Sequence, residues 1–147
     1  MSNEQLRNAR LKTVRDHMAL ECVQDWDAVI DTFEHPRYEM YGNGVVFDGE
    51  EEVRGYLTSS RQAFPDQSNE IISIAADDEK NTVLVEFYLL GTHLGDFTVR
   101  GTTYPATGRK FKVRMAATFE FAPGSSKIIC ERPYTSGDLK LMQLGLL

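Results

Sequence analysis

The stretch Lys110–Phe121, KFKVRMAATFEF, alternates between two faces along its whole length. Every second residue is apolar, namely Phe111, Val113, Met115, Ala117, Phe119 and Phe121. A period of two is typical of a β-strand that buries one face. Thr82–His93 is a second long run, apolar on both faces, and is the expected partner of this strand. The segment between them, Gly95–Tyr104, is expected to form an extended hairpin loop at the rim of the sheet.

Before residue 66 the apolar residues recur every three or four positions, which predicts three amphipathic helices. Ser2 with Gln5, and Asp48 with Glu51, form capping-box patterns that predict the starts of the first and third helices. Asp25 is the expected N-cap of the second helix. Residues up to Phe64 are therefore predicted to be helical, with a short strand or loop over Tyr38–Phe47 between the second and third helices.

From residue 69 onward the period changes to two. Asn69–Ala76 and Lys127–Thr135 predict further strands, and a short helix is expected after them at the end of the chain. Helices followed by consecutive strands predict an α+β fold, with the helices packed on an antiparallel sheet. We expect residues 1–147 to form a single domain.

Composition excludes several classes of function. The chain has 147 residues, 41% apolar side chains and a net charge of −6. No apolar run approaches the roughly 20 residues of a membrane-spanning helix, and a surplus of acid disfavours nucleic-acid binding. Cys22 and Cys130 are far apart, and no histidines have metal-ligand spacing, so neither a disulfide nor a metal site is predicted. The N-terminus has no secretory pattern, and the expected location is the cytoplasm.

Six short motifs occur in order along the chain: His35-Pro36-Arg37-Tyr38, Phe64-Pro65-Asp66, Gly91-Thr92-His93-Leu94-Gly95, Pro105-Ala106-Thr107-Gly108-Arg109, Phe119-Glu120-Phe121 and Gln143-Leu144-Gly145-Leu146. Together they resemble the SnoaL-like polyketide cyclase family of the nuclear transport factor 2-like superfamily. The resemblance implies a cone-shaped, strongly bent antiparallel sheet packed on three N-terminal helices, with an apolar cavity. It also implies a homodimer, a small apolar or aromatic ligand, and no cofactor.

The resemblance implies that, if this chain is an enzyme, it is a cofactor-independent cyclase or isomerase. Enzymes of this family use an acidic residue near the end of the last strand. Counting back seven residues from Gln143, where the family has that acid, gives Ser136, and the second polar position of the family falls on Ala117. Two interpretations stay open at this point. Either Asp138 has replaced the missing acid and the chain is a cyclase, isomerase or hydrolase, or the chain is a non-catalytic ligand-binding or scaffold module.

The candidate catalytic residues are Asp138, His93 and Tyr134. Each has a structural alternative: Asp138 would be stabilised in a first helical turn whatever its function, and His93 would form a structural hydrogen bond. Ser136 is the expected N-cap of the last helix. His17, within the first helix, is expected on the surface or only partly covered.

The candidate ligand-binding residues are mostly aromatic, because rings supply contact area and tyrosine hydroxyls supply direction. They are His35, Tyr38, Tyr41, Tyr56, Phe64, Phe87, Phe119, Arg132 and Ser136. Arg132 shares a face with Tyr134 if the last strand alternates regularly. Pro133 weakens that inference, since proline within a strand signals an edge or a bulge.

Overall fold

The computed structural model describes all of residues 1–147. The first helix begins where the sequence predicts, because Ser2 and Gln5 cap each other. The Gln5 amide donates to Ser2 Oγ over 3.1 Å, and the Ser2 amide donates to Gln5 Oε1 over 2.8 Å. Asp25 caps the second helix through the Ala28 amide. The four helices are α1 (Asn3–Cys22), α2 (Trp26–Asp31), α3 (Glu50–Ala63) and α4 (Gly137–Gln143).

The capping box predicted for α3 is wrong. Gly49 occupies the N-cap position, and no side chain caps this helix. The Asp48 carboxylate is engaged elsewhere, since its Oδ1 lies 2.8 Å from His35 Nε2 and accepts from Arg37 over 3.0 Å. A carboxylate held by two basic side chains is not free to bond the first amides of the helix.

The strands are β1 (Arg37–Glu39), β2 (Val46–Asp48), β3 (Ser68–Asp77), β4 (Thr82–Thr92), β5 (Phe97–Val99), β6 (Thr102–Tyr104), β7 (Lys110–Phe121) and β8 (Ile128–Tyr134). Six of them form a strongly curled, unclosed sheet in the order β2-β1-β8-β7-β4-β3. β4 and β7 pair antiparallel along their whole length, which confirms the pairing predicted from KFKVRMAATFEF. β5 and β6 form the predicted rim hairpin.

One pair departs from the expected antiparallel pattern. β1 runs parallel to β8, with Tyr38 beside Glu131. The chain reaches β1 early and β8 only after the whole meander, so nothing constrains the two strands to the reversed direction of a hairpin. This pairing brings a residue that follows the second helix next to the last strand.

The main core lies between the three N-terminal helices and the inner, concave face of the sheet. It comprises 15 buried side chains, among them Val14 of α1, Val53 of α3 and Phe119 of β7. A smaller cluster under α4 contains Phe64, Phe111 and Leu144. No helix has both the length and the apolar character needed to cross a membrane.

Candidate functional site

A cavity of about 60 Å³ lies between the helices and the inner face of the sheet. Its walls combine apolar side chains with an unusual number of polar ones. The polar lining residues are Glu21, Tyr38, Tyr56, Arg61, Gln67, Asn69 and Glu131. Because polar groups in a core require partners, this concentration marks a candidate site.

Helix α1 contributes Glu21 to this lining and also carries His17, which contacts Glu21 and Glu131 but does not itself line the cavity. His17 and Glu21 are one turn apart, so both side chains leave the same side of the helix. They follow Val14 and Met18 at helical spacing and are carried to the interior on the same apolar stripe. His17 is completely buried, and the prediction that it lies on the surface or is only partly covered is therefore wrong.

Strand β8 contributes Glu131 through a β-bulge. Phe121 pairs with Ile128, whereas Glu120 pairs with Cys130, so Ile129 is an extra residue in this strand. The extra residue reverses the alternation after it, and Glu131 faces inward while Arg132 faces outward. Pro133 itself pairs in regular register with Ala117, and Arg132 and Tyr134 share the outer face, so the irregularity lies at Ile129 and not at the proline.

Glu21, Glu131 and Tyr38 all approach the same nitrogen atom of His17. His17 Nε2 lies 3.0 Å from Glu21 Oε1, 3.0 Å from Glu131 Oε1 and 3.2 Å from the Tyr38 hydroxyl. Tyr38 donates its own proton to Glu21 Oε1 over 2.9 Å. Glu131 Oε1 is close to Nε2 but has no hydrogen bond of good geometry, and it is buried. One oxygen of the site is thus left for another partner.

The other ring nitrogen fixes the state of the histidine. Thr32 donates its hydroxyl proton to the Val29 carbonyl over 2.6 Å, so it can only accept from His17 Nδ1, 2.8 Å away. Nδ1 therefore carries a proton. Nε2 faces two carboxyl groups and a tyrosine oxygen that has already given up its proton, which favours a second proton there and a charged imidazolium.

The pKa values follow from this arrangement. Burial opposes the charge on His17, but Glu21 and Glu131 outweigh it and raise the pKa of His17 to about 10. Burial also raises the pKa of Glu131, and the neighbouring Glu21 charge adds to that increase. The pKa of Glu21 is lowered, because the attraction of His17 outweighs burial. The site is thus an imidazolium–carboxylate pair beside a carboxylic acid that retains its proton more readily than usual.

His17, Glu21 and Glu131 also present their ligand atoms within 4.8 Å of one another. That spacing would surround a metal ion. In the protonated state described above, however, the Nε2 lone pair that a metal would need is occupied by a proton.

The three predicted catalytic residues do not come together. Asp138 has a half-exposed side chain and forms an ion pair with Arg100 at 2.7 Å. His93 is buried in the cluster under α4, where its Nδ1 is 3.0 Å from the Thr107 hydroxyl. Tyr134 is at the surface, with its ring centroid 5.1 Å from that of Tyr41. None of the three lines the cavity.

The predicted ligand-binding residues divide into two groups. Tyr38, Tyr56, Phe87 and Phe119 line the cavity. The other five do not. They are His35, which pairs with Asp48; Tyr41, which is exposed; Phe64, in the cluster under α4; Arg132, which pairs with Glu120 and Glu39 on the outer face; and Ser136, which caps α4 as expected.

A larger groove of about 670 Å³ opens on the surface between β3, β4, β7 and α4. Its only carboxylate, Asp66, already accepts hydrogen bonds from the Thr92 amide and hydroxyl. Its lysines, Lys110 and Lys112, are exposed. The groove thus has no desolvated reactive group, and the enclosed cavity is the better candidate site.

The chain was compared with known proteins. A search of curated protein sequences found no match. Residues 14–129 match the family model of the SnoaL-like domain. These residues include His17, Glu21 and Tyr38 and end two positions before Glu131.

Solved structures with similar folds cover nearly the whole chain. A protein assigned as a SnoaL-like polyketide cyclase from Jannaschia sp. is 18% identical, with a TM-score of 0.80 over 97% of this chain and 95% of its own. One assigned as a polyketide cyclase from Xanthomonas campestris is 20% identical, with a TM-score of 0.77 over 97% and 99%.

A protein of ketosteroid isomerase-like fold from Catenulispora acidiphila is 19% identical, with a TM-score of 0.73 over 92% of this chain and 93% of its own. At these identities the likeness shows the fold, which agrees with the curled sheet and the helices packed inside it. Since the family model covers most of the residues that build this fold, the chain belongs to the SnoaL-like family.

Proposed function

We propose that this protein binds a small molecule in the enclosed cavity and acts on it by cofactor-independent acid–base catalysis, with Glu131 as the group that moves the proton. The observation that supports this most directly is the buried Glu131 oxygen, 3.0 Å from His17 Nε2 and without a hydrogen bond of good geometry. General acids and bases of enzymes are commonly carboxyl groups whose pKa has been raised by burial.

The neighbouring groups suit both halves of a proton transfer. A neutral Glu131 can protonate a substrate oxygen, and the carboxylate that results lies beside the His17 imidazolium, which stabilises it. When it is ionised, the same group can instead take a proton from a carbon next to a carbonyl, the first step of an aldol ring closure, and then give that proton to the alkoxide oxygen that the closure forms. Glu21 and Tyr38 hold the imidazole in place and are positioning residues.

A cyclase or isomerase acting on a polyketide-like substrate is the reaction class that fits this chemistry together with family membership. The cavity of about 60 Å³ is much smaller than the roughly 300–1,000 Å³ of a typical ligand pocket, so it can hold the reacting group of a substrate but not a whole polyketide. The body of a larger substrate would have to lie toward the rim. The same small volume favours the second candidate, a binding or scaffold protein without turnover.

The test uses exchange of the α-protons of cyclohexanone in D2O, followed by proton NMR. The wild-type protein should accelerate exchange above the rate in buffer. Glu131→Gln should lose about 100-fold of that acceleration or more, which is the usual contribution of a general base. Asp138→Asn is the matched control and should retain it.

Three outcomes would count against the proposal. Equal rates for wild type and Glu131→Gln would remove Glu131 from the mechanism. Loss of the exchange activity in Asp138→Asn but not in Glu131→Gln would favour the hypothesis from the sequence that Asp138 is the catalytic acid. No acceleration by the wild-type protein, with this ketone and with larger cyclic ketones, would favour the binding or scaffold function.

A further inference from the structure

Arg61 of α3 lines the cavity and is buried, with 9% of its surface exposed. No carboxylate lies within ion-pair distance of its guanidinium. Its nitrogens donate to the Ser60 hydroxyl over 2.9 Å and, weakly, to the Glu21 carbonyl over 3.4 Å, while Nε has no partner. The guanidinium carbon also lies 5.2 Å from the centre of the Trp26 ring.

A second buried arginine, Arg10, differs from Arg61 in how its nitrogens are bonded. Arg10 is 3% exposed, and its three nitrogens each find an oxygen: the Ser125 carbonyl, the Asn81 side chain and the Ala122 carbonyl. Arg10 therefore joins α1 to the β3–β4 and β7–β8 turns, and each of its nitrogens has a partner. A buried charge without a counter-ion is costly, so Arg61 either destabilises the fold or awaits a partner.

The charges around the cavity are unequal. His17 and Arg61 are cationic, Glu21 is anionic, and Glu131 is the carboxyl group whose pKa burial raises. Wherever Glu131 holds its proton, the side chains of His17, Glu21 and Arg61 together carry one positive charge more than negative. A ligand with one negative charge would balance it.

We propose that Arg61 is the anion-binding residue of the cavity and that the ligand is a small molecule with one carboxylate, its other end facing Glu131. This rests on the proposed function, which places a ligand in the cavity. The planar guanidinium matches a carboxylate in shape as well as in charge, and its free Nε supplies one of the two parallel donors of such a pair. A neutral ligand can accept a hydrogen bond from Nε through a carbonyl oxygen, but it leaves the charge of the guanidinium without a counter-ion.

The test compares isobutyrate with isobutyramide, which have the same shape and differ in charge. Binding is measured by NMR titration of the ¹⁵N-labelled protein, with the Arg61 Nε resonance as the local reporter. Isobutyrate should bind about tenfold more tightly or better, the effect of one hydrogen bond to a charged partner, and it should shift the Arg61 Nε resonance. Equal affinities, or no saturable binding of isobutyrate, would overturn the inference.

Arg61→Gln should reduce the preference for isobutyrate to near unity, and Arg61→Lys should retain part of it. Arg54→Gln, which removes an arginine of the same helix that already pairs with Asp27 and Glu50, is the matched control and should leave the preference unchanged. An unchanged preference in a folded Arg61→Gln protein would overturn the inference. If that variant does not fold, an Arg61 Nε resonance that does not move when isobutyrate saturates the wild-type protein would overturn the inference.

The two proposals fail separately. Loss of ketone exchange in Glu131→Gln, found together with equal binding of the acid and the amide, would retain the catalytic proposal and remove the role of Arg61. A clear preference for isobutyrate without any exchange activity would retain the anion site in a protein that only binds its ligand.

Discussion

Glu131 lies directly opposite Phe119 across the β7–β8 ladder, and both side chains point to the inner face of the sheet. Phe119 belongs to the alternation that predicts β7, and it is 1% exposed. Its partner in the ladder is therefore held in the core whatever its polarity. This pairing explains how a carboxyl group comes to lie among aromatic rings, and it is the origin of the raised pKa of Glu131.

The two carboxyl groups beside His17 should differ in their effect on stability, although both lie 3.0 Å from Nε2. Glu131→Gln should change the free energy of unfolding at pH 7 less than Glu21→Gln does, because burial raises the pKa of Glu131 and an amide resembles its protonated form. Glu21→Gln should cost about 3 kcal/mol, since it removes the ionised partner of a buried cation. Urea unfolding followed by the fluorescence of Trp26, the single tryptophan, measures both.

Glu86→Gln is the control for that comparison, because Glu86 is an exposed carboxylate paired only with Arg114. It should stay within about 0.5 kcal/mol of wild type. Equal losses in Glu21→Gln and Glu131→Gln would mean that both carboxyl groups are ionised and that Glu131 holds no proton to donate.

His17 should make the protein less stable as the pH rises from 6.5 to 8. In this interval folded His17, with a pKa of about 10, keeps a proton that the unfolded chain releases near 6.5. The folded state then binds more protons, so the free energy of unfolding falls by up to about 1.4 kcal/mol per pH unit. Of the groups facing His17, Glu21 is ionised throughout, and Glu131 acts in the same direction wherever it stays protonated.

His17→Gln should remove this slope, and His35→Gln, which changes an exposed histidine, should retain it. The measurement is urea unfolding at several pH values from 6.5 to 8. A slope that survives in His17→Gln would show that another group is responsible and that His17 is not held as an imidazolium.

Lys140 should increase the free energy of unfolding as the pH rises above 8, which is opposite to the effect of His17. Its ammonium lies over the rings of Phe64 and Phe111, 4.8 and 4.5 Å from their centres, and burial lowers the pKa of Lys140 to about 8. Between pH 8 and the ordinary lysine value of 10.5, the unfolded chain binds the extra proton, so this group increases stability as the pH rises. It should offset the loss from His17.

The wild-type free energy of unfolding should therefore be nearly constant between pH 8 and pH 9, and that of Lys140→Met should keep falling. The interval ends at 9 because the Cys130 thiol, whose pKa burial raises to about 12, begins to contribute above it. Lys127→Met, at a solvent-exposed lysine, is the control. Parallel curves for wild type and Lys140→Met would contradict the prediction.

The sequence predicted the elements better than it predicted the site. Alternation in Lys110–Phe121 and the capping box at Ser2 are local signals, and both features occur in the structure as predicted. Membership of the SnoaL-like family was also predicted and is confirmed by the family model. The capping box predicted for α3 does not form, because the Asp48 carboxylate pairs with His35 and Arg37. Both partners precede Asp48 by more than ten residues, so the local pattern at the start of the helix does not reveal them.

The residues in and around the cavity differ in whether the sequence can predict them. His17 and Glu21 were within reach of the sequence, since they continue the Val14 and Met18 stripe at intervals of three, and a polar pair on an apolar stripe is itself a signal. Glu131 was not, because its direction depends on one extra residue, Ile129, in a strand that otherwise alternates. A bulge reverses the faces of every residue after it, and periodicity alone does not locate it.

The homodimer stays a prediction, and the outer face of the sheet is where we expect it. Leu84 of β4 lies on that face, opposite Thr118, and is 45% exposed. An exposed apolar side chain on this face, near the start of β4, can pack against the same residue of a second copy about a two-fold axis. Sedimentation velocity at micromolar concentration should therefore give twice the chain mass of 16.7 kDa.

Leu84→Asp should shift that equilibrium to the monomer while leaving the fold intact, because the new carboxylate points to solvent in the free chain and is buried only at the interface. Met142→Asp is the matched control, since Met142 is 59% exposed on α4, away from the outer face of β4. If wild type sediments as a monomer the homodimer is wrong. If both variants remain dimeric, the chain pairs through a different surface, and the outer face of β4 is excluded.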